Sequence, residues 1–308
     1  MANDSRTPPP SRWAELSTEA RHPASEDLDQ RSTAEVVELL LSEDQRGLEA
    51  ARVQAAALAR GAEWLAATLE GGGSVVFFGA GASGRLGVLE AAECPPTFGT
   101  EPERIRALIA GGPEAVFAAR EGAEDDAGAG REAASSLEAG DLAVGISASS
   151  VTPFVAGALA CARQRGARTI LLSCAAPGPG ASPADLGIAL ATGPEILTGS
   201  TRLKAGSATK AALNALTTAA MVRLGKVYRG WMVDLRPGSA KLEDRALRIL
   251  VAAGGVSRGE AEELFRLADR ELKTALVMAR LHLDPEAARE RLRAARGHLR
   301  TALGEAGD

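Results

Sequence analysis

The sequence predicts an α/β protein built on a doubly wound, mostly parallel β-sheet flanked by helices, with a small helical appendage at its C-terminal end. Short apolar runs alternate with helical stretches up to about residue 240, and short helices follow Gly254. Such alternation is typical of βαβ units, whose parallel strands are covered on both faces. We expect a largely irregular arm over residues 1–31, an α/β domain with N-terminal helices over 32–245, and a small helical domain over 246–308.

Composition excludes several classes of partner. The 308 residues can bury a sizeable core, but a net charge of −5 and only three histidines argue against a nucleic-acid partner and against a histidine metal site. Cys94, Cys161 and Cys174 are odd in number and lack CxxC spacing, which is typical of reduced thiols. The absence of a leader-like apolar segment or a long apolar run predicts a cytoplasmic protein without a membrane partner.

The elements are predicted in chain order. The arm is rich in Pro, Ser and charged residues, so we expect it to order only against the body or a partner. Ser32 and Glu35 have capping-box spacing and open a helical hairpin or two long helices that end at Gly71. The predicted strands are "SVVFFG", "IRALIAGG", "DLAVGISAS", "ARTILLSCA" and "LGIALATG". Leucines of the C-terminal segment, such as Leu264 and Leu276, indicate a core or a docking face.

A glycine-rich loop, "GAGASGR", follows the first predicted strand. Its frame from Gly79 to Gly84 fits a dinucleotide-binding fingerprint, but "IRALIAGG" lacks the acidic residue that such a site needs. The alternative is that Ser83 and the amides from Gly81 to Arg85 hold a single phosphate or a sugar hydroxyl at a helix N-terminus. A third interpretation, that this loop is a tight turn without a ligand, remains open.

A second loop, "VGISASSVTPF", strengthens the ligand interpretation. It places a cluster of hydroxyls after a strand, with Pro153 suited to the first turn of a helix; the cluster comprises Ser147, Ser149, Ser150 and Thr152. Loops at the carboxyl ends of neighbouring parallel strands face one crevice. Together they predict a sugar-phosphate cradle, to which Arg85 and Lys204 could add positive charge.

Two carboxylate positions are candidates for acid and base chemistry. Glu93 is expected at the end of the helix after the first strand, just before Cys94 and the helix-stopping prolines 95 and 96. The negative helix end and a partly dry position would favour its protonated form, as a general acid requires. An acidic cluster further along could supply a base, or it could be a solvated loop; its members are Glu121, Glu124, Asp125 and Asp126.

Longer motifs carry a family resemblance. The stretches "TEARHP", "LDQRSTAEVVELLLSED", "GAGASGRLGVLEAAECPPTFG", "LIAGGPEAVFAAREGAEDD", "TGSTRLKAGSATKAALNALTTAAMVRLGKVY" and "MVDL" resemble the N-acetylmuramic acid 6-phosphate etherase family. That family belongs to the sugar-isomerase-domain superfamily, so the resemblance implies a sugar-isomerase-type sheet. The likeness runs from about residue 18 to the C-terminus.

The resemblance implies a cytoplasmic homodimer without a cofactor that removes D-lactate from the C3 ether of its substrate during peptidoglycan recycling. It assigns Glu93 as proton donor and Glu124 as the second catalytic residue. The full set of candidate substrate-binding residues is Gly81, Ser83, Gly84, Arg85, Ser147, Ser149, Ser150, Thr152, Glu195, Ser200 and Lys204. The apolar helix "ATKAALNALTTAAMVRLG" independently predicts a dimer, because it has more apolar surface than one small sheet can cover.

The chain departs from the family pattern near the ligand loops. Ala82 stands where the family has threonine, Ser150 and Val151 where it has glycine and arginine, and Ser239 where it has asparagine. A non-catalytic phosphosugar sensor resembling the glucokinase regulatory protein, and an isomerase of another sugar phosphate, are therefore alternatives. Retention of Glu93 and Glu124 favours an enzyme.

Overall fold

A computed structural model describes residues 16–175 and 181–305 of the chain. Residues 16–31 contain two short 3-10 turns and lie against the body, with Thr18 and His22 buried; the rest of the predicted arm lies outside the described residues. Helices α1 (Thr33–Val53) and α2 (Ala55–Glu70) follow. The predicted capping box is present at the start of α1, where the Ser32 amide donates to Glu35 Oε2 over 2.9 Å.

The predicted parallel sheet is confirmed. Its strands are β1 (Val75–Gly79), β2 (Ile105–Ile109), β3 (Leu142–Ile146), β4 (Arg168–Ser173) and β5 (Leu186–Ala189). Their spatial order is β2-β1-β3-β4-β5 and every pair is parallel. The order reverses between β1 and β3, so the loops that follow these two strands diverge and leave a crevice at the carboxyl edge of the sheet.

Helices cover both faces of this sheet. The face with α1 and α2 also carries α3 (Gly81–Phe98) and α6 (Lys204–Arg223), whereas α4 (Ala127–Ala133) and α5 (Pro153–Gln164) cover the other. Consecutive residues of β1 point to opposite faces: Phe77 packs in the first core and Phe78 in the second. Both phenylalanines are almost completely buried, which explains why this strand reads as a continuous apolar run.

The C-terminal part has its own core. A two-stranded antiparallel ribbon, β6 (Val227–Tyr228) and β7 (Trp231–Met232), leads into five helices: α7 (Ala240–Gly254), α8 (Arg258–Leu267), α9 (Leu272–Leu281), α10 (Pro285–Ala294) and α11 (Leu299–Ala302). Leu276 is buried in this core, Leu264 is partly buried, and Leu267 is exposed. The predicted boundary at 245/246 falls inside α7. Tyr228 and Val233, which precede it, already belong to the C-terminal core.

One local expectation is wrong. Helix α3 does not stop at Pro95 and Pro96; it continues to Phe98 and ends at Gly99, whose φ is 66°. A proline in the last turn removes a backbone donor without preventing one further turn. Helices α1, α2 and α3 of the same chain cover residues of α6 such as Ala212 and Leu216, but Ala215, Ala219 and Val222 of α6 are exposed, so the expected interface on this helix stays a prediction.

Two of the three cysteines are buried thiols. Burial raises the pKa of Cys94 to about 12 and that of Cys174 to about 11, so both stay protonated near neutrality. Cys161 is partly exposed. None of the helices in the described ranges is long and apolar enough to cross a membrane.

Candidate functional site

A cavity of about 600 Å³ lies at the carboxyl edge of the sheet, in the crevice between the loops after β1 and β3. Four segments of the chain converge on it: the loop into α3, the loop into α5, the segment that leads into α6, and the N-terminal residues 16–19. A 3-10 turn, Ala123–Asp125, adds the carboxyl groups of Glu124 and Asp125. The predicted cradle therefore forms a real cavity, and Glu124 lies in it.

The loop after β1 contributes Gly81 and Ser83 directly. Gly81 begins α3 with φ 52°, and both residues line the cavity. Gly84 does not line it. A methyl group at Gly84 would lie 2.5 Å from Ile109 Cγ1 and 2.7 Å from the Gly79 carbonyl oxygen, so this glycine permits close packing of α3 against the strands. The structure therefore shows a packing role for Gly84, and its ligand contact stays a prediction.

The loop after β3 presents Ser149 and Thr152 to the cavity. Thr152 is the N-cap of α5, and its hydroxyl lies 2.8 Å from the hydroxyl of Ser147, which is buried beneath the loop. Ser150 is also buried and has φ 70°, a conformation that favours glycine. Its carbonyl accepts a hydrogen bond from the Ser182 amide over 2.9 Å. Ser147 and Ser150 shape the loop, while Ser149 and Thr152 face the ligand space.

The charge in the cavity is negative. Its charged lining residues, within the described ranges, are Glu19, Glu124 and Asp125, and no Lys or Arg lines it. Arg85 lies instead beside an adjoining cavity of about 210 Å³, where its Nε donates to the Val116 carbonyl over 2.9 Å. Glu124 lines both cavities. An anionic ligand here would depend on the helix N-termini of α3 and α5 and on neutral hydroxyls.

Glu195 and Lys204 form structural contacts next to the cavity. The buried carboxylate of Glu195 accepts hydrogen bonds from the amides of Lys204 (3.2 Å) and Ala205 (2.8 Å), and so caps α6. Burial raises the pKa of Glu195 despite these bonds. Lys204 Nζ donates to Glu43 Oε2 over 2.6 Å and to the Pro194 carbonyl over 2.9 Å. The positive charge that was expected from Lys204 is therefore paired with Glu43 and does not line the cavity.

Ser200 lies between two lining residues, Gly199 and Thr201, without lining the cavity itself. In the acidic segment, Asp126 Oδ1 accepts a hydrogen bond from the Ala129 amide over 2.8 Å and caps α4. Glu121 lines only the smaller adjoining cavity. Among the four acidic candidates, only Glu124 and Asp125 reach the main cavity.

Glu93 lies far from this cavity in the same chain. It is twelve positions after Gly81 on α3, which is about 18 Å along a helix. Its side chain is exposed rather than partly dry. Glu93 and Glu124 therefore do not form one acid and base pair within a single chain.

Sequence reasoning missed the contribution of the N-terminal residues. Leu16, Thr18 and Glu19 line the cavity, and Thr18 is buried. The motif "TEARHP" contains Thr18 and Glu19, but polar residues in a segment of this composition carry no signal of where the segment packs.

Comparison with known proteins identifies the family. A model of the glucokinase regulatory protein N-terminal SIS domain matches residues 57–163. N-acetylmuramic acid 6-phosphate etherases of Salmonella agona (strain SL483) and Salmonella choleraesuis (strain SC-B67) are each 48% identical to this chain over 290 residues, 94% of this chain and 98% of the relative. The chain belongs to the N-acetylmuramic acid 6-phosphate etherase family.

Solved structures also resemble the chain. A putative phosphosugar isomerase from Bacteroides fragilis NCTC 9343 covers 67% of this chain and 99% of its own, at 18% identity and a TM-score of 0.48. A protein of Escherichia coli CFT073, solved as a complex, covers 65% and 96%, at 20% identity and a TM-score of 0.44. Membership of the etherase family confirms the resemblance read from motifs such as "ECPPTFG".

Proposed function

We propose that this chain is a carbon–oxygen lyase that cleaves the C3 D-lactyl ether of N-acetylmuramic acid 6-phosphate, yielding N-acetylglucosamine 6-phosphate and D-lactate. One observation carries the proposal: in a member of the etherase family, Glu124 shares a cavity with the hydroxyl-bearing loops of two parallel strands. The alternatives of a non-catalytic sensor and of an isomerase gain no comparable support.

The phosphate is best held at the N-termini of α3 and α5. Both helices begin at the cavity, and each N-terminus offers free amides and about half a positive charge. Ser83, Ser149 and Thr152 add hydroxyl donors that line the same cavity. This arrangement would bind a dianion without a cationic side chain.

The reaction needs a base and an acid. In the ring-opened sugar the C2 proton is α to the aldehyde; a carboxylate removes it, and an acid protonates the lactyl oxygen as the C3–O bond breaks. Water then adds to C3 of the unsaturated aldehyde. Each step moves a proton or adds water, which positioned carboxyl groups can catalyse. We assign the base to Glu124 and the acid to Glu93.

The assignment of Glu93 requires a second subunit. On the exposed face of α3, Leu89 is 44% exposed and Glu93 follows one turn later. If two copies of α3 pack antiparallel about a two-fold axis near Leu89, Glu93 of the partner subunit lies opposite Arg85, one turn from the loop at Gly81. We therefore propose a homodimer in which each cavity receives its acid from the other chain.

The product chemistry also suggests a biological setting. Muramic acid is an amino sugar of peptidoglycan, and removal of lactate returns it to the glucosamine series. We propose that the protein acts in peptidoglycan recycling and amino sugar catabolism, in the cytoplasm.

The test is a direct assay with N-acetylmuramic acid 6-phosphate. We expect equimolar D-lactate and N-acetylglucosamine 6-phosphate, and in deuterium oxide a product that carries deuterium at C2. Consumption of the substrate without lactate would contradict the proposal, as would no consumption by a protein that binds N-acetylglucosamine 6-phosphate.

A further inference from the structure

A short N-terminal segment, residues 16–22, forms one wall of the cavity; we call it the strap. Its residues Leu16, Thr18 and Glu19 line the cavity. Glu19 is exposed at the rim, with Oε2 3.2 Å from where a β-carbon on Gly199 would lie. The strap therefore lies against the segment that leads into α6 at the rim of the cavity.

A buried cluster fixes the far end of the strap. His22 Nε2 lies 3.3 Å from Glu43 Oε2, and the same carboxylate oxygen accepts a hydrogen bond from Lys204 Nζ over 2.6 Å. The side chains of His22, Glu43 and Lys204 are 9%, 4% and 3% exposed. We call these three residues the clamp. It joins the strap to α1 and to the first residue of α6.

The orientation of His22 follows from its hydrogen bonds. Its Nδ1 accepts a hydrogen bond from the Ala24 amide over 3.1 Å, so the ring proton of the neutral tautomer is on Nε2 and points to Glu43. The ring is thus held by a hydrogen bond at Nδ1 and by the contact of Nε2 with Glu43, which anchors the strap three residues after Glu19.

The charge of Glu19 determines which part of a ligand it can contact. A carboxylate repels a phosphate dianion, but it is a strong acceptor for hydroxyl and amide protons. In the proposed binding mode the phosphate is held at the N-termini of α3 and α5, so Glu19, which lines the cavity beside Gly199, is left to contact the sugar. Thr18 adds a buried hydroxyl whose oxygen has no partner among the described residues.

We propose that the strap is part of the substrate-binding site, that Glu19 is a specificity-determining residue which accepts hydrogen bonds from the sugar, and that His22 is a positioning residue which holds Glu19 in place through the clamp. The identity of the sugar rests on the proposed function. The role of the strap in binding a phosphosugar does not depend on catalysis.

The first experiment separates sugar contacts from phosphate contacts. Affinities for N-acetylglucosamine 6-phosphate and for inorganic phosphate are measured by calorimetry on the wild type, Glu19→Gln and the control Glu26→Gln, an exposed glutamate beyond the clamp in the same segment. We expect Glu19→Gln to weaken binding of the sugar phosphate about tenfold, the equivalent of one charge-assisted hydrogen bond, without weakening binding of phosphate. Glu26→Gln should have the same affinities for both ligands as the wild type.

The second experiment tests the clamp. If His22 acts by positioning Glu19, His22→Ala weakens sugar-phosphate binding, and the double variant His22→Ala/Glu19→Gln is no weaker than Glu19→Gln alone. Trypsin cleavage after the exposed Arg21 provides a readout independent of affinity. We expect His22→Ala to accelerate this cleavage and N-acetylglucosamine 6-phosphate to slow it in the wild type.

Unchanged sugar-phosphate affinity in Glu19→Gln would overturn the role of Glu19, and additive effects in the double variant would overturn the positioning role of His22. Equal losses for sugar phosphate and inorganic phosphate would also contradict specificity for the sugar. If lactate is never released but Glu19→Gln still loses sugar-phosphate affinity selectively, the strap stands and the etherase proposal fails.

Discussion

Glu43 is a buried carboxylate that is stabilised because several partner residues contact it. Burial by itself raises the pKa of this carboxyl, but the hydrogen bond from Lys204, together with the charges of Lys204 and Arg46, holds the pKa below its usual value. A carboxyl whose pKa is lower in the folded state stabilises the fold above its unfolded pKa, and this contribution is lost as the pH falls through the folded pKa.

Glu43→Gln should therefore destabilise the fold by about 3 kcal/mol near neutrality, because it leaves the buried ammonium of Lys204 without its counter-charge. Urea unfolding at pH 7 and at pH 4 tests this. The difference in the free energy of unfolding between Glu43→Gln and the wild type should be smaller at pH 4, which lies below the ordinary glutamate pKa of 4.5. The exposed Glu49 on the same helix is the control, since its surface pair with Arg52 contributes little. Equal effects of the two substitutions would contradict this interpretation.

The departures at Ser150 and Val151 have separate consequences. Ser150 adopts a strained left-handed backbone conformation, whereas Val151 lines the cavity. Ser150→Gly should change stability by less than about 1 kcal/mol, as relief of strain is offset by the greater freedom of glycine in the unfolded chain, and it should leave ligand affinity unchanged.

Val151→Arg should tighten binding of N-acetylglucosamine 6-phosphate roughly tenfold or more, because it adds a cation to a cavity whose charged lining residues, in the described chain, are all acidic. Calorimetry on each single variant and on the pair checks both predictions. A gain that appears only with Ser150→Gly present would show that the backbone, rather than the charge, limits binding.

At the scale of elements, the sequence predicted those features that depend on residues close together in the chain. The five strands were predicted because parallel strands buried on both faces are short apolar runs, and the crevice followed from hydroxyls after β1 and β3. The pairing of Lys204 with Glu43 was not predictable, because it joins residues 161 positions apart. The position of the strap was missed for the same reason: no periodicity marks where an irregular segment packs.

Gly84 was predicted in a ligand loop, but it lies in the first turn of α3, where it packs against the strands. We expect Gly84→Ala to destabilise the fold by about 2 kcal/mol, because the new methyl group would press against the Gly79 backbone and Ile109. Gly259, in the first turn of α8, has open space around it and is the matched control. Thermal unfolding of the two variants tests this; an unchanged stability in Gly84→Ala would contradict the packing role.

At the scale of the whole molecule, the two catalytic candidates are separated within one chain: Glu124 lines the cavity, whereas Glu93 lies far from it. Helix α6 was expected to drive dimerisation; α1, α2 and α3 cover much of it, but Ala215, Ala219 and Val222 are exposed, so this expectation stays a prediction. Exposed Leu89 on α3 is the better candidate for an interface, since it lies between the cavity end of the helix and Glu93.

We expect Leu89→Lys to yield monomers by light scattering at micromolar concentration and to lose etherase activity while it still binds inorganic phosphate. A lysine on a surface that packs against its own copy places like charges together and prevents association. The control is Leu267→Lys, since Leu267 is exposed to a similar degree on α8 of the C-terminal part. A dimeric and active Leu89→Lys variant would exclude this face.

The most direct test of a site shared between two chains is complementation of inactive variants. Glu93→Gln and Glu124→Gln are purified separately, mixed in equal amounts, dissociated and allowed to reassociate, and lactate release from N-acetylmuramic acid 6-phosphate is measured. If each cavity takes Glu93 from the partner subunit, half the dimers are hybrids with one intact site each, and the mixture regains about a quarter of the wild-type specific activity. If both glutamates act within one chain, no hybrid contains an intact site, and the absence of any recovery in a mixture shown to contain hybrids would contradict the shared site.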